Sequence, residues 1–144
     1  MLIGEYNHTL DAKRRVALPA KFRKELGKKI VITNGFDKCL FIYPVKEWQK
    51  FSEKLSGLPV GQADTRGVNR FMFGGAMEQD VDSLGRILVP EFLSRFAELA
   101  TKIVLIGVQN RLEIWNEKSW TDYKKQVERE AAGLAEKLSG LGIM

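Results

Sequence analysis

Along residues 4–10 polar and apolar positions alternate, which sets Tyr6, His8 and Leu10 on one face of a strand. The alternation stops at a polar turn, Asp11 to Arg14, and resumes over Arg15–Leu18. Pro19 suits the first turn of a helix predicted over Ala20–Leu26 and closed by Gly27. Ile30-Val31-Ile32-Thr33 is a β-branched strand, Asn34-Gly35 a turn signal, and Cys39–Tyr43 the returning strand. Pro44 opens a helix with Trp48, Phe51 and Leu55 on one face. Residues 57–67, rich in Gly and Pro, read as a linker, and a short helix over 68–73 ends at Gly74-Gly75. The same order then recurs: strands at 77–81 and 86–89 around a turn at 82–85, a helix at 90–99, and strands at 103–106 and 112–115. A single longer helix is predicted over 117–138, where Trp120, Tyr123, Val127, Ala131, Leu134 and Leu138 step by three or four. That stripe packs on its own unit or forms a seam against a neighbouring chain.

The recurrence is a duplication. Asp11-x-x-x-Arg15, three apolar residues and Pro19 match Asp82-x-x-x-Arg86, three apolar residues and Pro90, at an offset of 71. Downstream, Gly35, Leu40-x-Ile42-Tyr43 and Trp48 answer Gly107, Leu112-x-Ile114-Trp115 and Trp120 at an offset of 72. A unit of roughly 45 residues is marginal alone. Two copies in one chain predict an α+β pair packed about a pseudo-twofold axis, with surfaces left for symmetric assembly.

Composition narrows the chemistry. In 144 residues, 44% are hydrophobic and 28% charged, as in a soluble globular protein, and no apolar run approaches a membrane span. The N-terminal residues lack the regions of a signal peptide, so a cytoplasmic location is expected. The lone Cys39 allows neither an internal disulfide nor a zinc finger, and the lone His8 no His-rich metal site. A Cys39–His8 nucleophile pair is weighed against Cys39 as a small buried apolar residue, which its strand favours. No phosphate-binding glycine loop stands between a strand and a helix, and no carboxylate pair is marked. No cofactor, metal or small-molecule substrate is expected, and no enzyme activity.

Charge is where the copies differ. Residues 5–29 carry eight Lys/Arg against three acids, a net of +5; residues 76–100 carry Arg86 and Arg95 against five acids, a net of −3. Asp11 with Arg15 and Asp82 with Arg86 can each fasten a turn by a charge-assisted pair. Turn-fastening alone gives no reason for the charge divergence. A division of labour does: Lys13-Arg14-Arg15 at a ribbon tip faces nucleic acid, while Leu84 and Gly85 replace Lys13 and Arg14 in a scaffold copy. A two-stranded ribbon fits the DNA major groove, where Arg pairs guanine. About three neutralised phosphates bind weakly, with a salt slope near −0.9 for each, so useful affinity requires several chains on one DNA. Two rivals are a scaffold whose basic patch faces an acidic protein and, less favoured, an enzyme.

These residues resemble the MraZ family, built of two SpoVT-AbrB swapped-hairpin units. The likeness spans about residues 1–120 and rests on His8-Thr9-Leu10-Asp11, Leu18-Pro19, Leu40-Phe41-Ile42-Tyr43-Pro44, Asp82-Ser83-Leu84-Gly85-Arg86 and Leu112-Glu113-Ile114-Trp115. It implies a pseudo-symmetric β-barrel core of two units with peripheral helices: 5–47 facing DNA, 76–119 as scaffold, and 120–144 as a longer C-terminal helix. It further implies a bacterial transcriptional regulator of double-stranded DNA. Such a regulator binds short direct repeats upstream of the division and cell-wall gene cluster, usually as a repressor, as a ring-shaped homo-oligomer on the nucleoid. DNA contacts map onto Lys13, Arg14 and Arg15, with Arg86 a weaker equivalent and Asp11 and Asp82 holding the turns. The family usually has Gly where Arg14 stands. A changed backbone at the tip and an added phosphate contact are both expected there.

Overall fold

In a computed structural model covering all 144 residues, the duplicated pattern becomes two interleaved copies of one unit. The first contributes β1 (Leu2–Thr9), β2 (Arg15–Ala17), α1 (Ala20–Leu26), β3 (Lys29–Asn34), β4 (Leu40–Pro44), α2 (Val45–Ser56) and α3 (Ala63–Gly74). The second contributes β5 (Met77–Asp80), β6 (Arg86–Leu88), α4 (Glu91–Phe96), β7 (Lys102–Gln109), β8 (Leu112–Asn116), α5 (Glu117–Arg129) and α6 (Ala131–Gly140).

Neither unit keeps its first strand. β1 pairs with β7 of the second unit, and β5 pairs with β3 of the first, in one antiparallel sheet of order β1-β7-β8-β4-β3-β5. β2 and β6 form a separate two-stranded ribbon, so the ribbon expected from the strands of the first repeat alone is instead built of one strand from each copy. Val16 sits opposite Ile87 in the ribbon, and Phe41 opposite Glu113 in the sheet. Each pair joins equivalent residues, so the pseudo-twofold axis passes through both layers. The ladders make a six-stranded open sheet and a separate two-stranded ribbon, with no closed barrel among them.

Period-two alternation then assigns the faces. Ile30, Ile32, Leu40, Ile42 and their equivalents Ile103, Leu105, Leu112 and Ile114 point toward the ribbon, α1 and α4, in a core of 18 buried residues. Phe41, Tyr43, Val104, Ile106 and Trp115 point the other way, beneath α2, α3 and α5. The main core therefore lies under the ribbon and fixes how the turns are presented.

Three sequence expectations need revision. The ladders equate Ile30 with Ile103 and Asn34 with Gly107, an offset of 73, so Gly35 is not the counterpart of Gly107. Two residues are gained between α4 and β7, and one is lost in the β7–β8 hairpin. The linker is shorter than its composition suggests, since α3 starts at Ala63. The C-terminal helix is two helices, broken at Glu130 (φ −97°, ψ 8°). Trp120 and Tyr123 of α5 pack against Trp115, whereas α6 has no buried residue.

Candidate nucleic-acid interface

The two D-x-x-x-R stretches fold into the same turn, bond for bond. Asp11 Oδ1 accepts from the backbone N–H of Lys13 (2.8 Å) and Arg15 (2.8 Å), and Oδ2 from Arg15 Nε (2.8 Å). Asp82 does the same with the N–H of Leu84 (3.0 Å) and Arg86 (2.8 Å) and with Arg86 Nε (2.8 Å). The backbone N–H of Arg15, and then its guanidinium, hold the Asp11 carboxyl below the usual aspartate range. Asp82 is lowered by Arg86 in the same way. Each carboxylate anchors its arginine through Nε alone, so the two Nη groups of Arg15 and of Arg86 make no hydrogen bond within the chain. Both arginines stand on the outward face of the ribbon, since Val16 and Ile87 between them are buried.

Arg14 answers the question its position raised. Its φ is +58°, and that of Gly85 is +76°, so both turns use the left-handed region and the tip backbone is conserved between copies. A left-handed L-residue costs on the order of 1 kcal/mol. What offsets it is a contact: Arg14 Nε donates to the carbonyl of Val89 (3.2 Å). The equivalent carbonyl in the other half is that of Leu18, and there the donor is Arg23 Nε (2.8 Å) from α1. Arg23 lies over Gly85, so a Cβ on Gly85 would overlap its guanidinium. The counterpart of Arg23 is Ser94, small enough to leave room for Arg14. The pseudo-twofold thus puts a guanidinium beside each turn, supplied by the turn itself in one half and by a helix in the other.

This changes the charge map read from the sequence. Lys13 is exposed at the first tip and Leu84, 61% exposed, at the second. Yet the second turn is not stripped of positive charge, because Arg23 of the first unit covers it. Arg23 was missed by reading along the chain. Its signal was the pairing of Gly85 with Arg23 against Arg14 with Ser94, visible once the repeats are superposed at an offset of 71.

The remaining candidates do not converge. Cys39 is buried at the β3–β4 hairpin, its Sγ donating to Phe36 O (3.0 Å), and burial first, then the charges of Glu113 and Asp37, push its thiol pKa far up. His8 lies on β1 opposite Ile103, three strands from β4 in the sheet order, so no Cys39–His8 pair forms. Glu5 on β1 is held low by Lys124 (Nζ, 2.8 Å) and Trp120 (Nε1, 2.7 Å), which tie α5 to the sheet edge.

On the opposite face, a hollow of about 380 Å³ opens beside the axis, lined by Phe36, Phe41, Ile106, Val108, Trp115, Trp120 and Tyr123, with Arg111 stacked 4.3 Å over Phe41. Glu113 at its floor accepts from Arg111 Nη2 (2.8 Å) and Trp115 Nε1 (3.0 Å). In the first unit the end of α3 covers the counterpart of this hollow: Thr33 Oγ1 donates to Met72 O (2.7 Å), and Asn34 Nδ2 to Phe71 O (3.1 Å).

Comparison with known proteins agrees with the duplication. A family model described as "MraZ protein, putative antitoxin-like" matches residues 1–71 and again 72–139. The chain is 47% identical over 143 residues to the "Transcriptional regulator MraZ" of Desulfitobacterium hafniense (strain Y51), covering 99% of this chain and all of that one. Relatives of the same name from Caldanaerobacter subterraneus subsp. tengcongensis (45%) and Clostridium tetani (46%) match over the same span.

Proposed function

The chain belongs to the MraZ family, and from that premise we propose that it is a transcriptional regulator that grips double-stranded DNA with its β2–β6 ribbon. The observation that carries this reading is the ribbon's outer face. Arg15 and Arg86 project from it with their Nη groups unpaired, each held in one rotamer by a carboxylate that is otherwise committed to its turn. A pre-oriented guanidinium with its bidentate edge free suits guanine or phosphate. Lys13 and Arg14 add charge at the first turn, so residues 5–47 make the stronger contacts and 76–119 mainly carry the scaffold. The targets are short direct repeats upstream of the division and cell-wall gene cluster, where binding represses, and the regulator works on the nucleoid in the cytoplasm.

A second observation favours assembly into a ring of identical chains. α3 folds back onto its hollow through six connecting residues, 57–62. Only Glu130 separates α5 from α6, which is too short a link to reverse the chain, so α6 leaves its own unit's hollow uncovered. The α6 of a neighbouring copy is the occupant that fits, giving head-to-tail contacts that close into a ring.

A gel shift on the protein's own upstream DNA tests the main reading. Arg15→Ala should abolish the specific shift while leaving the assembly size unaltered. Normal binding by the variant refutes the role of Arg15, and loss of assembly assigns Arg15 to turn-fastening alone. Binding of an acidic protein in place of duplex DNA would favour the scaffold reading.

A further inference from the structure

The crossed arrangement beside the two turns has a consequence for how much of the ribbon meets a ligand. Arg14 on the Val89 carbonyl and Arg23 on the Leu18 carbonyl are related by the pseudo-twofold axis in position but not in sequence origin. Together with Arg15 and Arg86 they make four guanidiniums around a ribbon of three residue pairs. Asp11 and Asp82 are the carboxylates of the turns, and each accepts from two turn N–H groups and one Nε. Arg15 and Arg86 are each paired with a turn carboxylate, whereas Arg14 and Arg23 have only a backbone carbonyl as partner, so the excess of positive charge beside the two turns is theirs. Such a cluster complements a polyanion whose charges recur along a line.

We propose that both turns of each chain contact the duplex, and that Arg23, although it belongs to α1, is the binding cation of the second turn. It takes the place there that Arg14 holds in the first. The ligand is the phosphate backbone of double-stranded DNA, so this inference rests on the function proposed above. Gly85 is then required as a seat: its missing side chain lets the Arg23 guanidinium lie against the turn. Arg23 is exposed and donates from Nε alone, so both Nη groups are available.

Salt dependence separates charge from scaffolding. Arg23→Gln keeps an N–H donor for the Leu18 carbonyl and removes the charge. Wild-type and variant protein are titrated with a fixed duplex containing the upstream repeats between 50 and 200 mM salt. The slope of log affinity against log salt should become shallower by about 0.9 per engaged chain in Arg23→Gln, and affinity should fall at the low-salt end. A purely structural role would lower the melting temperature and leave that slope intact. The double variant Arg23→Ser with Gly85→Arg rebuilds the second half in the manner of the first, and should return slope and low-salt affinity to within about twofold of wild type. An unchanged slope in Arg23→Gln overturns the proposal, as does a double variant whose slope stays shallow. If the wild-type protein itself shows no salt-dependent duplex binding, the function proposed above fails and this inference with it. A normal wild type with an indifferent Arg23→Gln sinks this inference alone.

Discussion

Asp11 and Asp82 show how much one side chain can organise. Each closes a turn and aims an arginine with the same carboxylate, through two backbone bonds and one side-chain bond. Because folding lowers both carboxyl pKa values, the stabilisation they give is fully present above the ordinary aspartate pKa. It is lost as pH falls through the lower folded values. The Nε–H resonances of Arg15 and Arg86 should therefore stay slowly exchanging at mildly acidic pH and collapse together only below the usual aspartate range, as followed by NMR. Collapse near neutral pH would show that the carboxylates are not what hold them. At this scale the sequence was legible for residues acting within one repeat, since Asp-x-x-x-Arg is a local motif. For Arg23 it was legible only with the two repeats superposed, since its neighbour Gly85 lies 62 positions away and belongs to the other copy. Arg14 was misleading for a related reason: a left-handed arginine is unfavourable by itself, and only the Val89 carbonyl explains it.

Among the elements, strands and helices built on strong periodicity were readable to within a residue or two, as with α1 and β4. Boundaries set by a partner element were not. β7 runs on to Gln109 because β1 lies beside it along its whole length, a pairing that no local pattern announces. The break at Glu130 escaped notice because the apolar stripe continues through it in sequence. Gly107 marks how tightly β1 and β7 are joined: a Cβ there would lie 2.5 Å from backbone atoms of Leu2 and Ile3. Backbone cannot swing aside as a side-chain tip can, so Gly107→Ala should destabilise the protein by about 1–3 kcal/mol, read as a lower urea midpoint with an unchanged m-value. Gly133→Ala in α6, where nothing lies within 4 Å of the added carbon, is the control and should be neutral or slightly stabilising.

For the whole molecule, the duplication produced symmetry in the sheet and asymmetry outside it. One hollow is covered by α3 and its twin is open, while α6 carries the exposed Leu134 (40% accessible) and is followed by the exposed Leu141 (74%). If α6 of one copy seats in the hollow of the next, Leu134→Asp should shift the assembly to monomers in light scattering. Trp120, at the hollow's edge, should then become more accessible to a fluorescence quencher. An assembly of unaltered mass would show that α6 is not the contact. The exchange of first strands between units also bears on how the chain is made. β1 is synthesised about a hundred residues before the end of the strand it must zip against, Gln109. At roughly 5–20 residues per second of synthesis, that edge waits on the order of 5–20 seconds without its partner strand. The N-terminal half has no stable resting place of its own during that interval, so the burden of keeping nascent chains from sticking to one another falls on translation speed and chaperones.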